Sequence, residues 1–443
     1  MKNIYRYFKY IGAAAAVMTG FAMTSCEETP GKFELADGVP TVYYVRPVDV
    51  DASDSLLTGA YMDNQICLVG DNLRSIYQLW FNDQQAILNT SYMTDNTLIV
   101  TVPGTIPGVV SDKMYMITAA RDTVTYDFSV IVPGPTVSSM SCEYAEAGSV
   151  ATLYGNYFVD DPNVPLEIMF SGDVPVTEIQ SVSMSEITFV VPEGAEEGPV
   201  TVTTVYGEQQ GYFHYLDSRG YLFDFDEGGT GLSNHGWHNR VIASEGGIRG
   251  NYVQLGDGST AMSADGGWND SQFAFEYWPG DWSTPTSYPA DGLRLTDLVD
   301  FSDFENMSLK FEMYIPSSNP WSAGTMQLIF AGTDKVSYGN AGTDIYGNTM
   351  AGPNNTYFQD DVLPRGFYRP WSDTGSFDTG DEWITVTVPF SDFTYGFSGA
   401  QATGTLSADD FASLNIFVVG GGLTGTECTP IIRIDNIRAV PNR

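Results

Sequence analysis

Basic residues are scarce in this sequence. Its 443 residues include 19 Lys and Arg against 55 Asp and Glu, which gives a formal net charge of −36 at pH 7. A field of this sign repels phosphate backbones and anionic lipid headgroups. The composition therefore excludes nucleic acid and polyanionic polysaccharides as favourable partners, whereas a neutral polymer feels no such repulsion.

Catalytic signatures are also missing. There is no G-x-S-x-G, H-E-x-x-H or P-loop motif, and no histidine has an evident nucleophile partner. Gly420, Gly422 and Gly425 fit G-x-G-x-x-G on paper, but the chain runs from them into a predicted strand. A phosphate site of that type needs a helix N-terminus at this point. The sequence therefore predicts a protein that has no catalytic residues.

Cysteines are few and far apart in the chain. No C-x-x-C pair or Cys/His cluster is present, so no zinc site is predicted. Cys67, Cys142 and Cys428 fall in three different predicted domains, which excludes a disulfide within one domain. Each is interpreted as a small buried hydrophobic residue.

The sequence also lacks helical periodicity, because in no segment do apolar residues recur convincingly at helical spacing. The chain instead has 46 glycines, 23 prolines and many short runs rich in β-branched and aromatic residues. These features favour strands and turns. The predicted fold is all-β: two immunoglobulin-like β-sandwiches are followed by a larger jelly-roll-type β-sandwich with long loops.

The chain opens with a basic segment, residues 1–9, followed by an apolar run at 11–23 that is too short to span a bilayer. This order of segments is typical of a secretory signal. Cys26, directly after the small Ser25, resembles the cysteine of a bacterial lipobox, and the acidic pair at 27–28 resembles a surface-export signal. The resemblance implies acylation at Cys26 and a protein held on the extracellular face of the outer membrane by lipid alone.

A repeat of about ninety residues follows. Two stretches begin with Pro-Thr-Val, pass through an apolar strand that ends in glycine, and finish with a strand before proline. The matched positions are 95, 85 and 89 residues apart, for Pro40 and Pro135, Gly70 and Gly155, and Pro103 and Pro192. Short strands with turn signals at this spacing predict two small β-sandwiches.

The turn at Gly155-Asn156-Tyr157-Phe158 resembles the signature of the immunoglobulin-like IPT/TIG module, and Gly70-Asp71-Asn72-Leu73 matches it more weakly. Such modules usually act as spacers. The predicted divisions are a signal peptide at 1–25, a lipid anchor and linker at 26–38, IPT/TIG-like modules at 39–134 and 135–217, and a larger β-sandwich at 218–443.

Seven of the eight tryptophans lie in the last predicted domain. Its strand-like stretches are separated by long irregular segments, of which 277–292 and 335–380 are the most extended. Loops of this length are uncommon unless they serve a function. This part of the chain therefore predicts a jelly-roll sandwich with elaborate functional loops.

Several short sequence segments in this domain resemble segments of carbohydrate-binding sandwiches, and the most specific are residues 319–321 and 365–371. Together with the lipobox and the repeats, they resemble Bacteroidetes surface glycan-binding proteins of polysaccharide-utilisation systems. The resemblance is to the type whose terminal domain binds xyloglucan or related β-glucans. It implies non-catalytic capture of a neutral polysaccharide beside an outer-membrane TonB-dependent importer, its lid lipoprotein and a surface endo-glycanase.

Binding a glucan chain needs flat aromatic rings flanked by polar groups, because a sugar ring has an apolar face and a rim of hydroxyls. Trp321, Tyr368 and Trp371 stand in polar loop sequence rather than in alternating strands, and the resemblance places platform tryptophans at Trp321 and Trp371. Trp278 and Trp282 flank a turn and either extend this platform or pin the loop. The polar candidates are Gln327, Asp360, Arg365 and Arg369.

Two further tryptophans, Trp268 and Trp383, stand at the starts of strands, and Trp383 is interpreted as a core residue. Asp224, Asp226 and Asp435 lie near the two ends of the domain, which meet in many sandwiches. Their oxygens are candidate ligands for a structural Ca²⁺ ion, although the spacing is not that of an EF-hand. No other cofactor is predicted.

Two alternative functions stay open at this point. The protein could be a surface adhesin for a host glycoprotein, or a jelly-roll glycoside hydrolase with an unfamiliar pair of acids. A hydrolase needs two carboxylates placed across the scissile bond, and no acid/base motif is present. The tryptophan-rich loops argue against the adhesin.

Overall fold

The computed structural model describes residues 35–226, 230, 242–277, 293–332, 337–338, 343–344 and 356–442. Strands and turns dominate these residues, and the prediction of an all-β protein is confirmed. The described chain divides after Pro133 into two compact units. None of the described helices is long and apolar enough to cross a membrane.

The described helices are single turns. Two are α-helical, α1 (Asp270–Phe273) and α2 (Trp371–Thr374). The 3-10 turns are Leu73–Ser75, Thr90–Tyr92, Leu295–Asp297, Phe304–Asn306, Thr356–Gln359, Phe390–Asp392 and Ala408–Asp410.

The first unit is a β-sandwich. Its strands are β1 (Thr41–Pro47), β2 (Gly59–Tyr61), β3 (Gln65–Asp71), β4 (Ile76–Phe81), β5 (Gln84–Gln85), β6 (Thr97–Thr101), β7 (Lys113–Thr118), β8 (Thr123–Asp127) and β9 (Ser129–Ile131). One sheet has the order β1-β3-β6 and the other β5-β4-β7-β8, while β2 and β9 pair in parallel. Alternate side chains of both sheets, among them Leu68, Leu79 and Met116, form one buried cluster.

The second repeat begins the second unit. Its strands are β10 (Thr136–Met140), β11 (Val150–Asn156), β12 (Glu167–Ser171), β13 (Val174–Pro175), β14 (Ile179–Val182), β15 (Glu186–Val190), β16 (Glu196–Thr204) and β17 (Gly207–Tyr215). The sheets β10-β11-β15-β14 and β13-β12-β16-β17 enclose a separate apolar cluster. We call this sandwich the second module.

The same glycine contact fixes the first strand in both repeats. A Cβ on Gly70 would lie 1.8 Å from the carbonyl oxygen of Thr41, and a Cβ on Gly155 would lie 1.8 Å from that of Thr136. Both strand pairs also shift register beside this contact. Only glycine allows so close a backbone approach, which explains why the apolar strand of each repeat ends in glycine.

The terminal sandwich follows. Its strands are β18 (Tyr221–Phe223), β19 (Ile242–Ala243), β20 (Tyr252–Leu255), β21 (Ala274–Tyr277), β22 (Met307–Tyr314), β23 (Thr325–Ala331), β24 (Ser337–Tyr338), β25 (Thr343–Asp344), β26 (Gly366–Tyr368), β27 (Ile384–Pro389), β28 (Ser413–Val419) and β29 (Ile432–Pro441). The module-side sheet has the order β19-β20-β29-β22-β27, with β18 paired to β29, and the far-side sheet has the order β21-β28-β23-β26. Strands β24 and β25 pair with each other.

The main core of the terminal sandwich lies between these two sheets. Leu309, Phe311 and Met313 of β22 point toward it from the module-side sheet, and Leu328 and Phe330 of β23 belong to the same cluster from the far-side sheet. All five side chains are completely buried. Burial of each side chain stabilises the fold by about 1.5–3 kcal/mol. Because side chains alternate between the two faces of a strand, this burial also determines which side chains lie on the outer face of each sheet.

A buried ion network covers the outer surface of the module-side sheet. Arg438 of β29 donates to Glu312 of β22 (Nη1···Oε2, 2.8 Å) and to Glu143 of the second module (Nη2···Oε2, 2.6 Å). Lys310 Nζ donates to the other oxygen of Glu143 at 2.5 Å. Burial disfavours a charged guanidinium, but the attraction of Glu312 and Glu143 outweighs it and raises the pKa of Arg438. The arginine therefore stays charged and is held by carboxylates from both domains.

Apolar packing continues across the same junction. Ile248 and Trp383 of the terminal sandwich pack against the core cluster of the second module. The backbone N–H of Thr385 donates to the carbonyl of Ser141 at 2.9 Å. The second module and the terminal sandwich thus form one compact unit that begins at Gly134.

Candidate functional site

The two tryptophans predicted to form a binding platform lie in the core of the terminal sandwich. Trp321 is 0% exposed and Trp371 is 4% exposed. The indole N–H of Trp321 donates to the carbonyl of Ala323 at 2.6 Å, and that of Trp371 donates to the carbonyl of Gly324 at 2.7 Å. Rings enclosed in this way cannot stack on a sugar, so the prediction of an exposed platform at these positions is wrong. The polar flanking sequence was misleading because backbone carbonyls, not solvent, satisfy both indoles.

Tyr368 also faces inward. Its ring centroid lies 6.3 Å from that of Trp321 and 6.5 Å from that of Phe311. Burial raises the pKa of its hydroxyl to about 12. Tyr368 therefore lines the core from β26, and its predicted place in a surface platform is wrong.

Gln327 and Arg365 are completely buried under the outer face of the far-side sheet. Arg365 Nη1 donates to Gln327 Oε1 at 3.0 Å and Nη2 donates to the carbonyl of Asp360 at 2.9 Å. Gln327 Nε2 donates in turn to the carbonyl of Phe397 at 3.1 Å. The two side chains predicted to contact a ligand instead hold the segments around 360 and 397 against the sheet.

These held segments place half-buried aromatic rings at the surface. Phe367 of β26 stacks on Tyr395, with ring centroids 4.6 Å apart and an angle of 11° between planes. Backbone hydrogen bonds between Arg365 and Tyr395 fix this pair to the edge of the sheet. The guanidinium of Arg369 lies over the Phe367 ring, with its Cζ 5.5 Å from the ring centroid. Its Nη1 donates to the carbonyl of Gly421 at 2.9 Å.

A second group of rings adjoins the first. Trp268 is 37% exposed and stacks on the buried ring of Phe417, with centroids 4.8 Å apart. Phe397 lies 6.3 Å from Trp268, and the guanidinium of Arg365 lies 6.0 Å from the Phe397 ring. Arg365 thus touches both groups, through its backbone at Tyr395 and its guanidinium at Phe397. We call the surface made of Trp268, Phe367, Arg369, Tyr395 and Phe397 the aromatic strip.

The aromatic strip has the chemistry that a neutral sugar requires. The rings of Trp268 and Tyr395 offer faces for the C–H side of a pyranose, and the Arg369 guanidinium, which lies over Phe367, offers N–H donors for hydroxyls beside them. The buried Gln327 and Arg365 fix the supporting loops, so the rings are preorganised rather than ordered on binding.

The sequence pointed to one member of the strip, Arg369, and missed its four rings. Trp268 was placed at the start of a predicted strand. Phe367 lies inside the segment 365–371 but was not named as a binding residue. Tyr395 and Phe397 come from a separate segment that follows the strand β27. Their alternation of aromatic and small residues after 393 was the available signal, but it does not reveal which strand edge the segment covers.

The proposed calcium ligands do not assemble into a metal site. The described residues contain no group of three His, Cys, Asp or Glu side chains that could hold an ion. Asp226 Oδ1 accepts from the backbone N–H of Asn251 at 2.7 Å, and Asp435 Oδ1 accepts from that of Asn436 at the same distance. Burial raises the pKa of Asp435 to about 9, so this carboxyl is neutral near pH 7. Together with Asp224, these residues are therefore not supported as calcium ligands.

Three other predicted residues, Cys26, Trp278 and Trp282, lie outside the described residues.

Two family models match the chain. Residues 215–441, just over half of the sequence, match the model described as the surface glycan-binding protein B xyloglucan binding domain. Residues 135–217 match the IPT/TIG domain model.

Two known proteins resemble this chain along most of its length. The crystal structure of the surface glycan-binding protein PbSGBP-B from Prevotella bryantii is 49% identical, and the match covers 92% of this chain and 100% of that one with a TM-score of 0.77. An IPT/TIG domain-containing protein from Bacteroides ovatus is 21% identical over 402 residues, which cover 67% of this chain and 80% of the relative.

Proposed function

The chain belongs to the surface glycan-binding protein B family, and we propose that it captures a neutral glucan of the xyloglucan type through the aromatic strip. The family resemblance seen in the sequence is confirmed by these matches. Members of the family are binding proteins and not enzymes, which confirms the prediction that the chain is non-catalytic.

The observation that carries the proposal is the aromatic strip itself. It combines half-exposed rings and a guanidinium on one surface, held from beneath by fully buried polar side chains. The net charge of −36 favours a neutral ligand over an anionic one. Xyloglucan or a related β-glucan fits this chemistry and the name of the family.

Binding at one such surface is expected to be weak. A few stacked sugar units correspond to dissociation constants on the order of micromolar to millimolar, or about −8 to −4 kcal/mol. Many copies on one membrane would raise retention of a long polymer by avidity. Weak single sites suit a protein that must pass its polymer on, and we propose that a TonB-dependent importer with its lid lipoprotein and a surface endo-glycanase act beside it.

The membrane anchor is a separate part of the proposal. We propose that Cys26 is acylated and holds the protein on the extracellular face of the outer membrane, which rests on the lipobox-like sequence alone. Mass spectrometry of the N-terminal peptide tests this point. A mature N-terminus at Cys26 with added acyl mass is expected, and an unmodified peptide would contradict it.

Affinity electrophoresis of residues 27–443 tests the glycan function. Gels would contain xyloglucan, mixed-linkage β-glucan, glucomannan, laminarin or starch, and the protein would be compared with Trp268→Ala and Tyr395→Ala. We expect retardation by at least one β-glucan, and an interaction about 5- to 12-fold weaker in each variant, because each removes about 1–1.5 kcal/mol of ring stacking. Tyr77→Ala, an exposed tyrosine of the first unit, is the matched control.

The outcomes separate the function from its site. Retardation that is unchanged in both variants would contradict the aromatic strip and leave glycan capture intact. Absence of retardation by every polymer would contradict the function.

A further inference from the structure

A second candidate surface lies on the opposite side of the terminal sandwich. A cleft of about 400 Å³ opens between the second module and the module-side sheet. Glu146 and Ser149 line it from the module, and Tyr314, Glu382, Trp383 and Arg433 line it from the terminal sandwich. Ligand pockets commonly span about 300–1,000 Å³ and occur preferentially between domains, so both the size and the position fit a small ligand.

Aromatic rings build one wall of this cleft. Trp383 is half-buried, its ring centroid lies 5.6 Å from that of Tyr314, and its N–H donates to the carbonyl of Gly246 at 3.2 Å. The guanidinium of Arg433 lies between two tyrosine rings, 5.0 Å from the centroid of Tyr314 and 5.1 Å from that of Tyr252. The rings and the guanidinium are thereby held in place before any ligand arrives.

The polar groups of the cleft have free bonding capacity. Arg433 Nε donates to Gln254 Oε1 at 3.2 Å, while its two terminal nitrogens make no hydrogen bond or ion pair with the described residues. The exposed carboxylates of Glu146 and Glu382 likewise accept no hydrogen bond from the part of the chain that the structure describes.

This combination selects a class of ligand. An anion would be repelled by Glu146 and Glu382, and a metal ion finds no group of three acidic or imidazole ligands among the described residues. A neutral sugar has hydroxyls that both accept from a guanidinium and donate to carboxylates, and a C–H face that packs against an indole. We propose that the cleft is a second saccharide-binding site, which takes one or two sugar units of the same neutral glycan.

The inference rests on the proposed function and adds a consequence to it. The aromatic strip and the cleft lie against opposite sheets of the terminal sandwich, so a long glycan can occupy both or bridge neighbouring molecules. Two sites raise retention of a polymer much more than that of a short oligosaccharide, because the second contact is made at a high effective concentration.

Calorimetric titration of residues 27–443 with a xyloglucan heptasaccharide and with cellohexaose tests the cleft. The variants are Trp268→Ala, Arg433→Gln, and the two combined. Arg249→Gln is the matched control, since Arg249 is exposed on the adjoining turn and does not line the cleft. A pair of changes at exposed residues, Glu146→Gln with Glu382→Gln, gives a second route that leaves the packing of Arg433 intact.

We expect about two oligosaccharides to bind per molecule, and about one in either Trp268→Ala or Arg433→Gln. The combined variant should bind at least tenfold more weakly than either single one, and the glutamine pair should weaken the second site at least threefold. A stoichiometry of one that disappears in Trp268→Ala would overturn the cleft and support the strip. Binding of neither oligosaccharide nor any polymer would instead count against the proposed function itself.

Discussion

The two outer faces of the terminal sandwich each bury an arginine, and they satisfy it differently. On the module-side face, Arg438 is paired with the carboxylates of Glu312 and Glu143. On the far-side face, Arg365 donates to a side-chain amide and to backbone carbonyls. The first arrangement joins two domains through charge, and the second holds loops in place through a side-chain amide and backbone carbonyls. The comparison indicates that one face is used for attachment and the other for presenting aromatic rings to a ligand.

The largest expected effect comes from breaking the charged face. Glu143→Gln leaves Arg438 with one buried carboxylate, Glu312, and removes the carboxylate that Lys310 contacts, so it should destabilise the second unit by about 3–5 kcal/mol. Chemical denaturation of residues 27–443 measures this. Glu178→Gln, an exposed acid of the same module, is the control. Equal stability of the two variants would show that the network does not join the domains.

The next largest expected effect is the difference in stability loss between a buried tryptophan, Trp321, and a partly exposed one, Trp268. Trp321→Phe shrinks a core side chain and leaves the carbonyl of Ala323 without its donor, so a loss of about 2–4 kcal/mol is expected. Trp268→Phe, at a position that is 37% exposed, should cost less than about 1 kcal/mol and should weaken glycan binding. Thermal melting and affinity electrophoresis measure the two properties. A Trp321→Phe variant of normal stability would contradict the core position.

Asp435 provides a test of the module-side face that depends on pH. It lies opposite Glu312 in the sheet, and burial raises its pKa to about 9 from the ordinary value of 3.8. The folded protein thus keeps a proton that the unfolded chain releases above about pH 4, so its stability falls as the pH rises from 4 to 9. Asp435→Asn should remove about 4 kcal/mol of this fall between pH 5 and pH 8, since each pH unit contributes about 1.4 kcal/mol.

Denaturation curves of the wild type and Asp435→Asn at several pH values measure the difference. Parallel curves would show that the carboxyl is ionised in the folded protein. A gain in wild-type stability on addition of Ca²⁺ that Asp435→Asn lacks would favour the calcium ligand predicted from the sequence.

The smallest effect concerns the guanidinium of the aromatic strip. Arg369→Gln removes the donor beside Phe367 and should weaken glycan binding about 3- to 10-fold, or about 0.7–1.4 kcal/mol, with little change in stability. Titration with the xyloglucan heptasaccharide measures it. Arg121→Gln, in an exposed turn of the first unit, controls for the loss of one positive charge. A variant of full affinity would remove Arg369 from the site.

The fold was predictable because its signals are local. The glycine that ends the apolar strand of each repeat reports a backbone approach that any chain with this turn must make, as Gly70 and Gly155 both show. Strand alternation and turn residues likewise act over a few positions. These features indicated the all-β class and the family without any knowledge of which segments meet.

The site was less predictable because its members meet only in the folded protein. Trp321 is bridged to Phe377, which lies on a distant segment, and this contact turns a residue of polar loop sequence into a core residue. The stacking of Phe367 on Tyr395 depends on backbone hydrogen bonds between Tyr395 and Arg365, two residues before Phe367. Flanking sequence shows neither contact, so it cannot tell an enclosed ring from an exposed one.

The ion network also bears on the order in which the protein is built. Glu143 and Arg438 are 295 positions apart, so during synthesis the second module emerges long before its arginine partner. Arg438 arrives with β29, the strand that pairs with β18, β20 and β22. The junction and the module-side sheet therefore close in the same late step. Until then the carboxylate of Glu143 stays hydrated, and a chain cut short before β29 keeps both the sheet and the junction unfinished.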